Sequence, residues 1–232
     1  MRRLGLVPVV LLVALGALIA GCGGGPATEG AVSDSSDATR PTLRYFPLAV
    51  DNSWTTRVNQ YAAAPAGLAL PVPGLEGAAS DDPSLALTSS FSVTGTQMIG
   101  GAKWFVGGYT PPIPSQEPWL GRHNTSGLLI KVTNSGTPYY LLKAPLMVGT
   151  TWDLTPLYAR RAIMSINAST TVPAGTFTGC IKVKQTYTTP SMADVVVTYW
   201  FAPGVGVART EIRDGGVLTT RMVLVSYTVK PI

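Results

Sequence analysis

Apolar and polar positions divide the chain into an apolar N-terminal run, a polar stretch, and a long region of short alternating segments. Residues 4–20 are uncharged and almost wholly apolar, follow the basic start Met1-Arg2-Arg3, and end in small side chains, which is the layout of an export signal. The run is short for a spanning helix, which needs about 20 apolar residues. From Gly23 to about Thr42 large apolar side chains nearly vanish among Gly, Ser, Thr and Asp, so this part reads as a flexible tether. Beyond it the pattern has a period of two.

That alternation is clearest near the C-terminus. Residues 180–187 form a strand, 188–191 a turn, and Val195-Val196-Val197-Thr198-Tyr199-Trp200-Phe201 is β-branched and aromatic throughout, as a strand buried on both faces would be. Pro203-Gly204-Val205-Gly206 then turns the chain into residues 207–213, where Val207, Arg209, Glu211 and Arg213 alternate with Ala208, Thr210 and Ile212. Asp214-Gly215-Gly216 signals a hairpin before residues 217–229. Upstream, residues 43 to about 133 predict a first β-rich region interrupted by two Pro-rich loops, 62–83 and 110–127. Loops of this length in a compact domain are often functional.

One internal echo stands out. Pro47-Leu48-Ala49-Val50-Asp51-Asn52-Ser53-Trp54 aligns without gaps on Pro145-Leu146-Met147-Val148-Gly149-Thr150-Thr151-Trp152. Pro opens an extended segment, Leu and Val share one face, Asp51 or Gly149 reverses the chain, and Trp packs back across the turn. The reading is a repeated structural corner with two tryptophan anchors in the core. The predicted fold is therefore all-β: a single, strongly bent antiparallel meander, open, half-barrel-like or sandwich-like, with little helix. Residues 1–21 are the signal peptide, 22–42 a lipidated cysteine and tether, and 43–232 the β domain.

Composition sharpens this picture. Gly (25) and Pro (19) punctuate nearly every stretch of the 232 residues, which excludes long helices. Charged residues are only 12% and apolar ones 46%, which excludes a disordered chain. Net charge is +5, and loss of Arg2 and Arg3 with the signal would leave 15 basic against 12 acidic residues, or +3. So small a scattered surplus is no footprint for nucleic acid.

The sequence Leu18-Ile19-Ala20-Gly21-Cys22 resembles the bacterial lipobox, in which an aliphatic residue and small residues precede a cysteine that is lipidated and becomes the new N-terminus. Its thiol can take a diacylglyceryl thioether, and several acyl chains anchor stably to a membrane. Tyr45-Phe46-Pro47-Leu48 with Trp54, Val172-Pro173-Ala174-Gly175-Thr176-Phe177 with Cys180, and Tyr199-Trp200-Phe201-Ala202-Pro203-Gly204-Val205-Gly206 are similar to segments of uncharacterised secreted bacterial lipoproteins. The resemblance implies an antiparallel β domain, lipid-anchored in the cell envelope and facing periplasm or exterior. It implies no catalytic residues.

Candidate chemistry is sparse. Gly-x-Ser-x-Gly, His-Glu-x-x-His, phosphate-loop and Cys-x-x-Cys motifs are all missing from the sequence. With Cys22 lipidated, Cys180 is left alone and reads as a small hydrophobe in a strand. His123 falls in the second Pro-rich loop, and with Glu117 it makes too small a set for a metal; Asp51, Asp81 and Asp82 lack the pattern of a calcium loop. Arg160-Arg161 reads as a strand entry or a solvated edge. No cofactor or catalytic residue is expected.

Three functions remain open. The first is a non-enzymatic interaction or structural module docking an envelope protein, with Tyr109, Trp119 and Leu120 near the loop ends as contact surface. The second is a carrier or sensor whose curved sheet encloses an apolar ligand, with Val197, Tyr199, Phe201 and Leu224 lining a hollow; a filled interior would exclude it. A hydrolase ranks last, because no carboxylate pair presents itself.

Overall fold

The computed structural model describes residues 41–61, 85–110, 118–131 and 136–230. Twelve strands follow in chain order: β1 (Ser53–Gln60), β2 (Leu85–Ile99), β3 (Ala102–Thr110), β4 (Trp119–Asn124), β5 (Gly127–Lys131), β6 (Tyr139–Lys143), β7 (Thr151–Leu154), β8 (Ala159–Val172), β9 (Gly175–Tyr187), β10 (Val195–Ala202), β11 (Gly206–Asp214) and β12 (Val217–Thr228). The only helical elements among the described residues are three short 3-10 turns. All strands join one antiparallel sheet in the order β6-β5-β4-β3-β2-β1-β12-β11-β10-β9-β8-β7, bent until it is nearly closed into a barrel. The predicted bent meander is thus observed, and it is not a sandwich.

The order shows two six-stranded meanders, β1–β6 and β7–β12, joined where β1 pairs with β12. The repeated Pro-Leu-x-Val corner starts each meander, and the two copies agree bond for bond. Asp51 and Gly149 both take positive φ, 74° and 88°. Asn52 N–H donates to the Ala49 carbonyl and Thr150 N–H to the Met147 carbonyl, both at 3.1 Å. The side chains of Asn52 and Thr150 donate to the carbonyls of Pro47 and Pro145 at 3.0 and 2.8 Å. Asp51 N–H bonds the Val93 carbonyl and Gly149 N–H the Ile163 carbonyl, each at 2.9 Å. The copies differ in burial: Pro47 and Leu48 are buried and Val50 half-buried, whereas Pro145 is exposed, Leu146 half-buried and Val148 62% exposed.

Alternate residues of each strand point inward, as a pleated sheet requires. One inward row runs Val58, Met222, Thr210, Tyr199, Val183 and Ile163 across six paired strands, all buried. The next runs Thr220, Ile212, Val197, Gln185, Arg161 and Trp152, also buried. β10 is buried inside as predicted, but its outer face is covered only by side chains. Lys182 and Arg209 lie 5.0 and 4.9 Å from the Trp200 ring on that face.

The seam between the two ends of the sheet is closed by side chains. Trp152 Nε1 donates to the Tyr140 carbonyl at 2.9 Å, and Arg161 Nη1 to the Leu141 carbonyl at 2.5 Å. Leu141 is the extra residue of a bulge, since Leu128 pairs with Leu142 and Leu129 with Tyr140. A bulge leaves ladder groups unpaired and re-aims them. That accounts for two successive β6 carbonyls both being reached from β7 and β8.

Two sequence boundaries move. The Pro-rich stretch 110–127 holds β4 and the β4–β5 hairpin in its second half, because Pro118 lies just ahead of the strand, where a missing N–H costs no ladder bond. Thr42, counted with the tether, is fully buried against the domain. Residues 111–117, the 62–83 loop, the 1–21 signal and Cys22 lie outside the described residues.

Candidate functional site

The nearly closed sheet holds a packed core with a half-open cavity in it. The cavity, of about 140 Å³, is walled by aromatic rings that include Phe46, Trp54, Phe91, Trp119, Tyr139 and Tyr199, with Ala208, Met222 and Leu224 from the second meander. The rings pack on one another. Phe46 and Trp54 stack at 5.3 Å, Trp54 and Phe91 at 5.7 Å, and Phe91 meets Trp119 edge-on at 5.2 Å. Glycine makes room for them: a Cβ on Gly107 would collide with the Phe91 ring, and one on Gly121 with the Trp119 indole. Two strand glycines that cost backbone entropy thereby let large rings lie flat against the wall.

One part of the wall, at Arg161, Tyr139 and Tyr199, is polar and is backed by Gln185. Gln185, fully buried, accepts from Arg161 Nε at 2.8 Å and from the Tyr199 hydroxyl at 3.3 Å, and its amide donates to the Tyr187 hydroxyl at 2.7 Å. Arg161, 3% exposed, also lies over the Tyr199 ring at 4.7 Å. Burial pushes the Tyr139 phenol up to about 12, against the pull of the Arg161 charge, with Tyr199 adding to the rise. Burial and the neighbouring Tyr139 raise Tyr109 as well. These phenols are neutral hydrogen-bond donors at any physiological pH.

The repeat explains how Arg161 comes to face inward. Trp152 pairs with Arg161 on β8 as Trp54 pairs with Phe91 on β2, so Arg161 occupies the position of Phe91. Likewise Gln185 pairs with Arg161 as Tyr109 pairs with Phe91. The pair does stand at a strand entry, since β8 begins at Ala159, and Arg160 is on the outside, donating to Thr151 Oγ1 at 3.1 Å, but Arg161 is not solvated. Adjacent residues of a strand face opposite ways, so one dipeptide supplies one exposed and one buried guanidinium.

The three residues expected to form a contact surface do not form one. Trp119 (8% exposed) and half-buried Tyr109 both line the cavity. Leu120, 2% exposed, points the other way and packs with Trp104 and Leu129 in a separate cluster, which Arg122 and Lys131 cover at 5.1 Å from the Trp104 ring. Of the residues expected to line a hollow, Tyr199 and Leu224 do, whereas Val197 and Phe201 are packed into the surrounding core.

His123 belongs to β4 and fastens the N-terminal segment. Its Nε2 donates to the Phe46 carbonyl at 2.8 Å, which leaves Nδ1 to accept from the Thr42 hydroxyl at 2.9 Å. Glu117, Asp81 and Asp82 lie outside the described residues, and Asp51 pairs with Lys230 at 2.9 Å. Cys180 is fully buried, its thiol 3.6 Å from the Phe177 carbonyl, and burial raises its pKa.

No family profile and no curated protein matches the chain. Among solved structures, it is similar to a protein assigned as exported, with a YmcC-like fold, from Bacteroides fragilis, at 15% identity and a TM-score of 0.49 over 79% of this chain and 98% of that one. A protein assigned as a lipoprotein from Parabacteroides distasonis matches at 17% identity and a TM-score of 0.39, also over 79% and 98%. Both scores are below 0.5, so the functional reading rests on this chain's own residues.

Proposed function

We propose that the chain is a lipid-anchored binding protein of the bacterial cell envelope, tethered through Cys22, that holds a small apolar ligand inside its barrel-like sheet. The observation that carries this reading is the half-open, ring-lined cavity within the sheet. A purely structural core gains dispersion contacts by filling its space, whereas rings that pack edge to edge around an open space leave part of their surface to contact a guest. The size is apt, since an apolar cavity of about 150 Å³ holds a benzene-sized molecule. Such a protein is a carrier or sensor and needs no catalytic group.

Toluene titrated into the purified chain tests the reading. At ten times its dissociation constant a specific guest stabilises by about 1.4 kcal/mol, which in a domain of this size raises the midpoint by about 3–6 °C. Chemical shifts of the Trp54 and Trp119 indoles should move saturably with the same constant. An unchanged midpoint and unchanged indole resonances would refute it. The anchor is tested separately: Cys22→Ala should abolish fatty-acid labelling in a bacterial host, and retained labelling would remove the tether from the proposal.

A further inference from the structure

Resting on that reading, we propose that the ligand is a small aromatic carboxylate, its ring held among Trp54, Phe91 and Trp119 and its carboxylate held by Arg161 Nη2 and the Tyr139 hydroxyl. Arg161 is a buried charge whose protein acceptors, the Gln185 amide oxygen and the Leu141 carbonyl, are both neutral. No carboxylate pairs with it among the described residues. Its Nη2 group and the Tyr139 hydroxyl likewise lack protein hydrogen-bond partners there, and both residues line the cavity. A largely buried guanidinium without a counter-ion is costly even where one amine stays open to the cavity, and a planar carboxylate is the partner its fork of donors fits best.

Arg161 Nε and Nη1 serve the fold, through Gln185 and the Leu141 carbonyl at the seam, but Nη2 serves neither. The equivalent position in the first meander is Phe91, and the sheet there closes over an apolar side chain. The other guanidinium of the wall, on Arg209, is already paired with the Glu211 carboxylate. The first meander thus supplies rings (Trp54, Phe91, Trp119) and the second a cation with its supporting amide (Arg161, Gln185), which together match a molecule with one apolar ring and one acidic end. At about 140 Å³ the space takes one ring and a few further atoms.

The test compares phenylacetate, toluene and 2-phenylethylamine on the purified full chain by calorimetric titration. Phenylacetate should bind at least about tenfold tighter than toluene, and 2-phenylethylamine should not bind detectably, because its ammonium would meet the Arg161 charge. Toluene binding with phenylacetate no tighter would overturn the carboxylate assignment and leave the apolar-cavity reading standing, whereas no binding by any probe would overturn both. Arg161 also secures the β6 carbonyl, so Tyr139→Phe is the variant of choice. It should weaken phenylacetate about threefold to tenfold, one lost hydrogen bond, and leave toluene unchanged. Equal weakening of both probes would overturn the placement of the carboxylate at Tyr139.

Discussion

Replacing Trp152 with phenylalanine isolates what holds the seam. The indole is 5% exposed, and its N–H bonds the Tyr140 carbonyl across a gap that no strand ladder bridges. Phe keeps an aromatic ring but leaves that carbonyl without its donor, which costs about 1–3 kcal/mol where water is excluded, and the smaller ring adds about 1 kcal/mol of lost packing. A total near 3 kcal/mol lowers the midpoint by about 6–12 °C in a domain of this size. Trp200→Phe is the matched control. Trp200 is 7% exposed and makes the same change of ring, but it lies on the outer face beneath Lys182 and Arg209 and has no indole hydrogen bond among the described residues. Thermal unfolding followed by far-ultraviolet circular dichroism should show Trp152→Phe more destabilising by at least about 1 kcal/mol, with faster amide exchange confined to β6 and β7. Equal losses in the two variants, or unchanged exchange in β6, would refute the seam argument.

Other perturbations probe separate parts of the molecule. Glu211, its side chain 8% exposed, is raised by burial, but the hydrogen bond and charge of Arg209 and the charges of Arg221 and Arg213 outweigh this and hold it below its ordinary 4.5. A depressed carboxylate stabilises above the unfolded pKa and loses that contribution as pH falls through the folded one. Glu211→Gln should therefore cost about 1–3 kcal/mol at neutral pH and remove part of the stability loss below about pH 4.5; a denaturant series at pH 7 and pH 3.5 showing a constant difference would count against it. Gly121→Ala displaces the Trp119 indole into the cavity, so toluene binding should fall at least about tenfold with a stability loss of about 1–3 kcal/mol; unchanged binding in calorimetry would mean that Trp119 does not shape the site. Cys180 should resist iodoacetamide at pH 8 in the folded chain and react fully in denaturant, as mass spectrometry would read out; rapid native labelling would contradict its burial.

Much of the fold was legible because local chemistry and the sheet agree. The Asp214-Gly215-Gly216 turn gave its hairpin, with Gly215 and Gly216 at φ 56° and 84°, since only such residues take two successive positive φ values cheaply. The paired Pro-Leu-x-Val corners were legible as local turns, but not as the starts of two complete meanders, because the stretch 62–83 lengthens the first copy between β1 and β2 and hides the common register. The prolines before Trp119 masked β4, and so hid both His123 as a strand residue and Trp119 as an inward one. The inward place of Arg161 was the chief departure from expectation, and its signal was present. Once Trp54 and Trp152 are taken as equivalent, strand pairing puts Arg161 where Phe91 stands, and alternation then turns Arg161 inward and Arg160 outward. Duplicated halves that share a fold under no other demand keep similar side chains inside, as Val93 and Ile163 do at the next inward position. Exchange of an aromatic ring for a guanidinium, supported by a fully buried amide, adds a desolvation cost that one seam hydrogen bond to the Leu141 carbonyl offsets only in part. The place where the two halves stop matching is therefore where this barrel departs from a plain core, and it coincides with the polar side of the cavity.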